Sequence, residues 1–271
     1  MVVKPSFIKE SLYRESDKII QNEGVFEMSK VNLDALIPRE DFAVLDETEE
    51  KAVSIGKISV DLNELRKDSH FYFCLKKPDF QRETDDWEPK KSFNLIKNFV
   101  DGDLIPSIIL WHGKGNNIFV IDGAHRLSAI LAWLNDDYGD GEISEKFYKG
   151  NIPTEYLKIA KRTRFVVNKD IGPYSHYQLA TTKPNDVGPE IVLKSKGLAI
   201  RNIQLQWVVG DFKVAEKSFL TINQEATPIN AVETYLIEGR KKPNCISARE
   251  SEEVGQDINI GLILMMRKKI K

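Results

Sequence analysis

The chain has 271 residues, 41% of them hydrophobic, with 39 Lys and Arg against 41 Asp and Glu, for a net charge of -2. That length and apolar fraction can bury a sizeable core, in one large or two modest domains, without covalent staples. The near-neutral balance excludes the global basic footprint that drives strong non-specific nucleic-acid binding, and leaves only a local basic groove. Cys74 and Cys245 are the only cysteines. They are too few for a disulfide framework or a Cys-based zinc site, which suits a reducing compartment, and each is read as an ordinary buried or semi-buried thiol. Lys4, Lys9 and Glu10 near the start do not resemble a signal peptide, and the apolar run from Ile258 to Met266 is too short to span a bilayer. A cytoplasmic protein without a membrane partner is expected.

In chain order, residues 1–50 read as a lead-in that ends in the acidic run Asp46-Glu47-Thr48-Glu49-Glu50. Ile55 to Val60 is a candidate strand, and Asp61 is placed to cap a short helix through Leu65. Phe71 to Leu75 is a second candidate strand. It leads into Lys76-Lys77-Pro78-Asp79-Phe80-Gln81-Arg82, a polar turn whose proline argues against a central strand, with Trp87 close behind. Pro89 suits a helix start, and Phe93, Ile96, Phe99 and Val100 form an inward face until Asp101-Gly102 stops it. Ile105 to Trp111 and Ile118 to Ile121 are strand-like, joined by the hairpin loop His112 to Asn117. Gly113 and Gly115 in that loop open no helix and lack the Lys-Ser/Thr ending of a P-loop, so a plain turn is the better reading.

The second strand runs directly into Asp122-Gly123-Ala124-His125-Arg126, and Leu127, Ile130, Leu131 and Leu134 follow at the spacing of a buried helix face. Ala129, Ala132 and Trp133 make that helix apolar nearly all round, so only its first turn is expected to be polar and open. Gly123 permits a tight turn with close backbone approach, and free N–H groups at a helix start attract anions. Arg126 adds a permanently charged planar fork suited to phosphate. The plainer alternative is that Asp122 caps the helix, Arg126 pairs with it on the next turn, and His125 is structural.

Beyond this helix, Asp136 to Ile143 imitates a calcium loop, but Tyr138 and Phe147 stand where calcium needs an oxygen and a bidentate Glu. From Pro153 the pattern becomes more helical, with Arg164 to Asn168 strand-like and Thr181 to Pro189 loop-rich. Ser218 to Asn223 runs toward Thr227-Pro228, a good N-cap and first helical residue, followed by the stripe Ile229, Val232 and Leu236 up to Gly239. The basic triplets Arg240-Lys241-Lys242 and Arg267-Lys268-Lys269 read as solvated helix ends.

Pro78-Asp79-Phe80-Gln81-Arg82, Trp87 and Asp122-Gly123-Ala124-His125-Arg126, in this order, resemble the paired signatures of the ParB/sulfiredoxin-like superfamily. They are most similar to the N-terminal domain of GmrSD-type restriction enzymes, with a P-x-F-Q-R segment and a D-G-Q-Q-R motif, and to the D-G-Q-H-R proteins of DNA-modification systems. The stretch from Phe219 to Pro228 resembles a further F-x-x-I-N element. The resemblance covers residues 55–138 and, more loosely, 218–240. Ala124 departs from the pattern, standing where these motifs carry Gln, and no H-N-H nuclease motif is visible among the 271 residues.

The resemblance implies an α/β fold with a small mixed sheet and packed helices. Residues 51–150 would form the nucleotide-binding domain, and residues 151–271 a mainly helical portion that completes it. It implies a nucleoside triphosphate as ligand or substrate and Mg²⁺ as cofactor. The expected activity is NTP hydrolysis or phosphoryl transfer linked to DNA processing or anti-phage defence; the alternative is a non-catalytic DNA-binding or regulatory module of the D-G-Q-H-R type. Arg126, Arg82, Gly123, Ala124 and Asn223 would hold phosphate, Asp122 and Asp79 the metal, and Asp122, His125 and Gln81 would serve catalysis. Nucleotide is the expected partner, with DNA, a separate nuclease subunit and self-association left open.

Overall fold

The computed structural model describes residues 30–41, 57–79, 81 and 87–226, the side chains of 114 and 223–226 excepted. Six short strands form one mixed sheet: β1 (Arg39–Glu40), β2 (Ser59–Val60), β3 (Leu75–Pro78), β4 (Ile108–His112), β5 (Ile118–Asp122) and β6 (Ile203–Val208), in the spatial order β1-β3-β5-β4-β6-β2. β1, β3 and β5 are mutually parallel, β5 and β4 form an antiparallel hairpin, β6 runs parallel to β4, and β2 closes the far edge antiparallel to β6. Eight α-helices accompany the sheet among the described residues: α1 (His70–Cys74), α2 (Pro89–Asp101), α3 (Ala124–Asn135), α4 (Glu142–Phe147), α5 (Thr154–Asp170), α6 (Tyr174–Thr182), α7 (Pro189–Leu198) and α8 (Phe212–Ala226). This is the expected α/β class with a mixed sheet and packed helices. No helix among the described residues is long and apolar enough to cross a membrane.

Local rules explain the elements nearest the centre. Proline opens α2 at Pro89, and Gly102, at φ +100°, ends it in the left-handed conformation that glycine adopts without strain. α3 is buried from Leu127 through Leu134, as its continuous apolar surface requires. One core cluster joins it to α2 and to the sheet through Ile96, Phe99, Leu110 and Val120. A smaller cluster lies under α8, where Ala215 and Phe219 meet Trp111, Phe119 and Ile121. The lead-in contributes as well: Val31, Leu33, Leu36 and Ile37 are fully buried or nearly so.

Four local expectations are corrected. Phe71 to Leu75 is not a strand; residues 70–74 form α1, because the Ser69 hydroxyl accepts from the Tyr72 amide and caps the turn. The strand comes next, between β1 and β5, and Pro78 is its last residue, paired with Glu40 of β1 only, a position where the missing N–H interrupts no continuing ladder. Asp61 does accept from the Asn63 and Glu64 amides, at 2.7 and 3.0 Å, but the residues it caps form turns rather than a helix. Arg164 to Asn168 lies inside α5, whose inward positions Ala160, Thr163 and Val167 override the β-branched local pattern. The Thr227-Pro228 cap lies outside the described residues.

The calcium-like loop is organised by protein groups instead of a metal. Asp137, 1% exposed, accepts from the amides of Gly139, Gly141, Ile143 and Ser144 and from the Ser144 hydroxyl, at 2.6 to 3.1 Å. Arg164 reaches across from α5 and takes both neighbouring carboxylates, Asp136 at 2.7 Å and Asp140 at 2.6 Å, while its guanidinium lies 5.3 Å from the Tyr138 ring centre. Those pairs hold the Arg164 pKa above its ordinary value despite the opposing effect of burial.

Two expectations follow. Asp137→Ala strands four amides and should cost about 3 kcal/mol or more in denaturant unfolding, whereas millimolar calcium should leave the wild-type melting temperature unchanged. Burial pushes the Tyr177 hydroxyl up to about 12 and those of Tyr72 and Tyr138 further still. A phenol with a raised folded pKa contributes stability that is complete below its unfolded value and lost as pH rises toward the folded one. Unfolding titrations should therefore show stability constant up to about pH 10 and falling by about 1.4 kcal/mol per pH unit per buried phenol above it.

Candidate functional site

β5 delivers Asp122 to the edge of the sheet, and a register shift shapes how it arrives. Ile109 of β4 pairs with Asp122 while Leu110 pairs with Val120, so β5 carries one extra residue, Ile121, immediately before Asp122. A bulge of this kind bends the strand and re-aims the side chain that follows. The chain then reverses at Gly123, with φ +93°, and enters α3 at Ala124. A Cβ at Gly123 would stand 2.6 Å from Ile108 Cδ1 and 3.0 Å from Arg126 Nη2, so both the backbone angle and the space require glycine.

Asp122 and Arg126 form an ion pair at 2.6 Å across one helical turn, with side chains 34% and 18% exposed. Asp122 is not the N-cap residue: Gly123 holds that position and makes no side-chain cap bond. Of the plainer alternatives read from the sequence, the ion pair is present and the cap is not. The opening turn of α3 therefore combines a glycine N-cap, a positive helix end and a guanidinium. The His125 ring stacks on Trp87, with centroids 5.7 Å apart and planes 21° from parallel.

The other motif arrives on the neighbouring strand. β3 and β5 are parallel, with Leu75 beside Ile118 and Lys76 beside Phe119. Both motifs therefore follow the carboxyl ends of adjacent parallel strands and leave the sheet at the same end. Gln81 sits in the turn just after β3, its amide donating to the Pro78 carbonyl at 3.0 Å. Its Oε1 is buried and accepts no hydrogen bond among the described residues. Arg82 and Phe80 lie outside the described residues. Asn223 belongs to α8, which packs on the other side of β5.

Sequence reasoning missed several neighbours of this edge. Trp87 was noticed as part of a signature, but its stacking on His125 has no local signal. Arg39 donates to the Gln81 carbonyl from Nε at 3.3 Å and Nη2 at 3.2 Å, a contact between residues 42 positions apart. Lys77 is fully buried and paired with Asp34, although a lysine beside a proline reads as an exposed turn.

A second concavity of about 680 Å³ lies between the loop at Asp61 to Arg66 and helices α6 and α7, with Tyr174, Gln178 and Leu198 in its walls. Tyr174 touches Trp133 edge-on, which places this cleft toward the opposite end of α3 from Asp122. None of the sequence-predicted residues lines it.

Among the described residues no group of three or more His, Cys, Asp or Glu is arranged to hold a metal by itself. No curated protein and no solved structure matches the chain. One family model does, over residues 61–237, well over half the length and spanning both motif segments. With the D-G-x-x-R turn and its partner strand inside that match, the chain belongs to the family of GmrSD restriction endonuclease N-terminal domains.

Proposed function

We propose that the shared edge of β3 and β5, with the start of α3, binds the phosphates of a nucleoside triphosphate, and that the chain hydrolyses the nucleotide or transfers its phosphoryl group within a restriction or anti-phage system. The observation that carries this reading is the Arg126 guanidinium lying over the glycine-capped start of α3, within reach of Asp122. Helix N–H groups and a guanidinium are suited to phosphate oxygens, and phosphoryl transfer draws mainly on positioning and charge neutralisation.

In this reading the Asp122–Arg126 pair is the resting arrangement. An incoming phosphate competes for the Arg126 fork, and Arg82 and Asn223 are assigned to the same phosphates by their motifs. Asp122 is thereby released to orient the attacking water, and His125, held flat against Trp87, is placed to donate to phosphate or move a proton. The buried Gln81 Oε1 accepts from water or from a ligand donor. Asp122 and Asp79 are the groups that would hold Mg²⁺, which supplies charge neutralisation of the phosphates when bound.

A second reading is favoured by a specific feature: position 124 is alanine, and Asp122 is already neutralised by Arg126. On that reading the pocket binds nucleotide without turnover, as a DNA-associated or regulatory module that acts with a separate nuclease subunit.

Incubating the purified chain with ATP, GTP and CTP plus Mg²⁺ separates the two. Ligand at a hundredfold over its dissociation constant should raise stability by about 2.7 kcal/mol, and Arg126→Ala should abolish that shift. Asp122→Ala should retain binding and lose turnover by a factor of about 10² to 10⁴. A shift without phosphate release in the wild type supports the binding module, and no shift with any of the three nucleotides sinks the phosphate site.

A further inference from the structure

We infer that residues 30–41, which precede the family match, belong to the functional unit: they form a clamp on both motif segments, with Arg39 as its positioning residue. The functional weight of this inference rests on the nucleotide reading, while its geometry stands by itself. β1 lies parallel to β3 with Arg39 beside Lys77, and the Lys77 amide donates to the Pro38 carbonyl at 2.8 Å. From there the Arg39 side chain reaches the turn beyond β3. One edge of its guanidinium, Nε and Nη2, holds the Gln81 carbonyl at 3.3 and 3.2 Å. The other edge holds the Asp34 carboxylate with two bonds, at 2.5 and 3.2 Å.

Asp34 is itself a fixed anchor. Its carboxylate is 4% exposed, its main-chain carbonyl accepts from the fully buried Lys77 ammonium at 2.9 Å, and Lys77 also pairs with the carboxylate. Its amide is held by Asn32 Oδ1 at 2.9 Å. The guanidinium gives two donors to the carbonyl and two to the carboxylate from one rigid plane, a double bidentate contact that a lysine ammonium does not reproduce. At the start of the same segment, Val31 donates to the Trp87 carbonyl at 2.9 Å in an isolated antiparallel bridge. Trp87 is the residue whose ring stacks on His125. A segment of 12 residues, 30 to 41, thus grips the turn carrying Gln81 and backs the ring beside His125.

An arginine that served only to neutralise Asp34 would not need the Gln81 edge, and Asp34 keeps Lys77 as a partner when Arg39 is replaced. Arg39→Lys and Arg39→Gln in the full chain should therefore fold and loosen the turn selectively. Hydrogen–deuterium exchange of the amides at 79–82 should accelerate by about ten- to a hundredfold in both variants, the range expected for losing hydrogen bonds to a charged donor. Amides in α2 and β4 should exchange as in the wild type. The apparent dissociation constant for ATP, GTP or CTP should rise as the fraction of molecules with the turn held falls, a tenfold rise requiring release in about nine molecules of ten. Should Arg39→Gln fail to fold, Arg39→Lys, which keeps the charge beside Asp34, gives the same reading. Unchanged exchange at 79–82, or acceleration spread evenly through the chain, overturns the clamp. If the wild type binds no nucleotide, the nucleotide reading falls while the exchange pattern still decides the clamp.

Discussion

The arrangement of the site depends on a single steric constraint, the absence of a side chain at residue 123. Ile108 Cδ1 occupies the space a Cβ would need, at 2.6 Å, and the backbone there is left-handed. With glycine in place the strand turns into α3 within one residue, so the last strand residue and the first helical turn face the same small volume. Any other residue would have to hold a left-handed backbone angle that L side chains rarely adopt, and would displace the side-chain ends of Ile108 and Arg126. The bulge at Ile121 works with this turn: one residue is spent to re-aim the strand, and the next side chain in line is the carboxylate that meets Arg126.

Charge is distributed unevenly around that volume. Next to it, Asp34, Lys77 and Arg39 form a buried group with one carboxylate between two cations. Burying ions is costly, and apolar replacements are often as stable, so such a group is better understood as fixing geometry than as raising stability. Its members come from the lead-in and from β3, and what they fix is the turn after β3. Membership of the GmrSD N-terminal family is carried by residues 61–237, yet the contacts that hold the first motif reach back to residue 31.

The parts of this structure that were legible in the sequence are those with short-range causes. α2 announces itself by Pro89 and Gly102, the β4–β5 hairpin by two apolar runs around a Gly and Asn loop, and α3 by its apolar spacing and the glycine before it. Where tertiary partners decide, local patterns misled. Phe71-Tyr72-Phe73 has strand-forming residues but is coiled into α1 by the Ser69 cap, and Arg164 to Asn168 is held in a helix by what Ala160 and Val167 pack against. β6 went unread although Ile203-Gln204-Leu205-Gln206 alternates buried and exposed, which is the signal that would have found it. At the site, Asp122 to Arg126 is a contiguous string and could be read directly. The Arg39–Gln81 contact joins positions 42 apart, and no periodicity encodes it.

The loop after α3 carries a consequence of a different kind. Its three aspartates resemble the ligands of a metal site, but two of them, Asp136 and Asp140, receive the guanidinium of Arg164, a cation delivered by the polypeptide itself, while Asp137 is taken by main-chain amides and the Ser144 hydroxyl. A tethered cation arrives at a high effective concentration and pays its ordering cost once, during folding. A recruited one must be drawn from solution in every molecule and competes with every other chelator present. Nucleoside triphosphates are among the strongest chelators of divalent ions in a cell. A fold that keeps its structural cation covalently attached is therefore insulated from fluctuations in free metal, whichever ligand occupies the other end of α3.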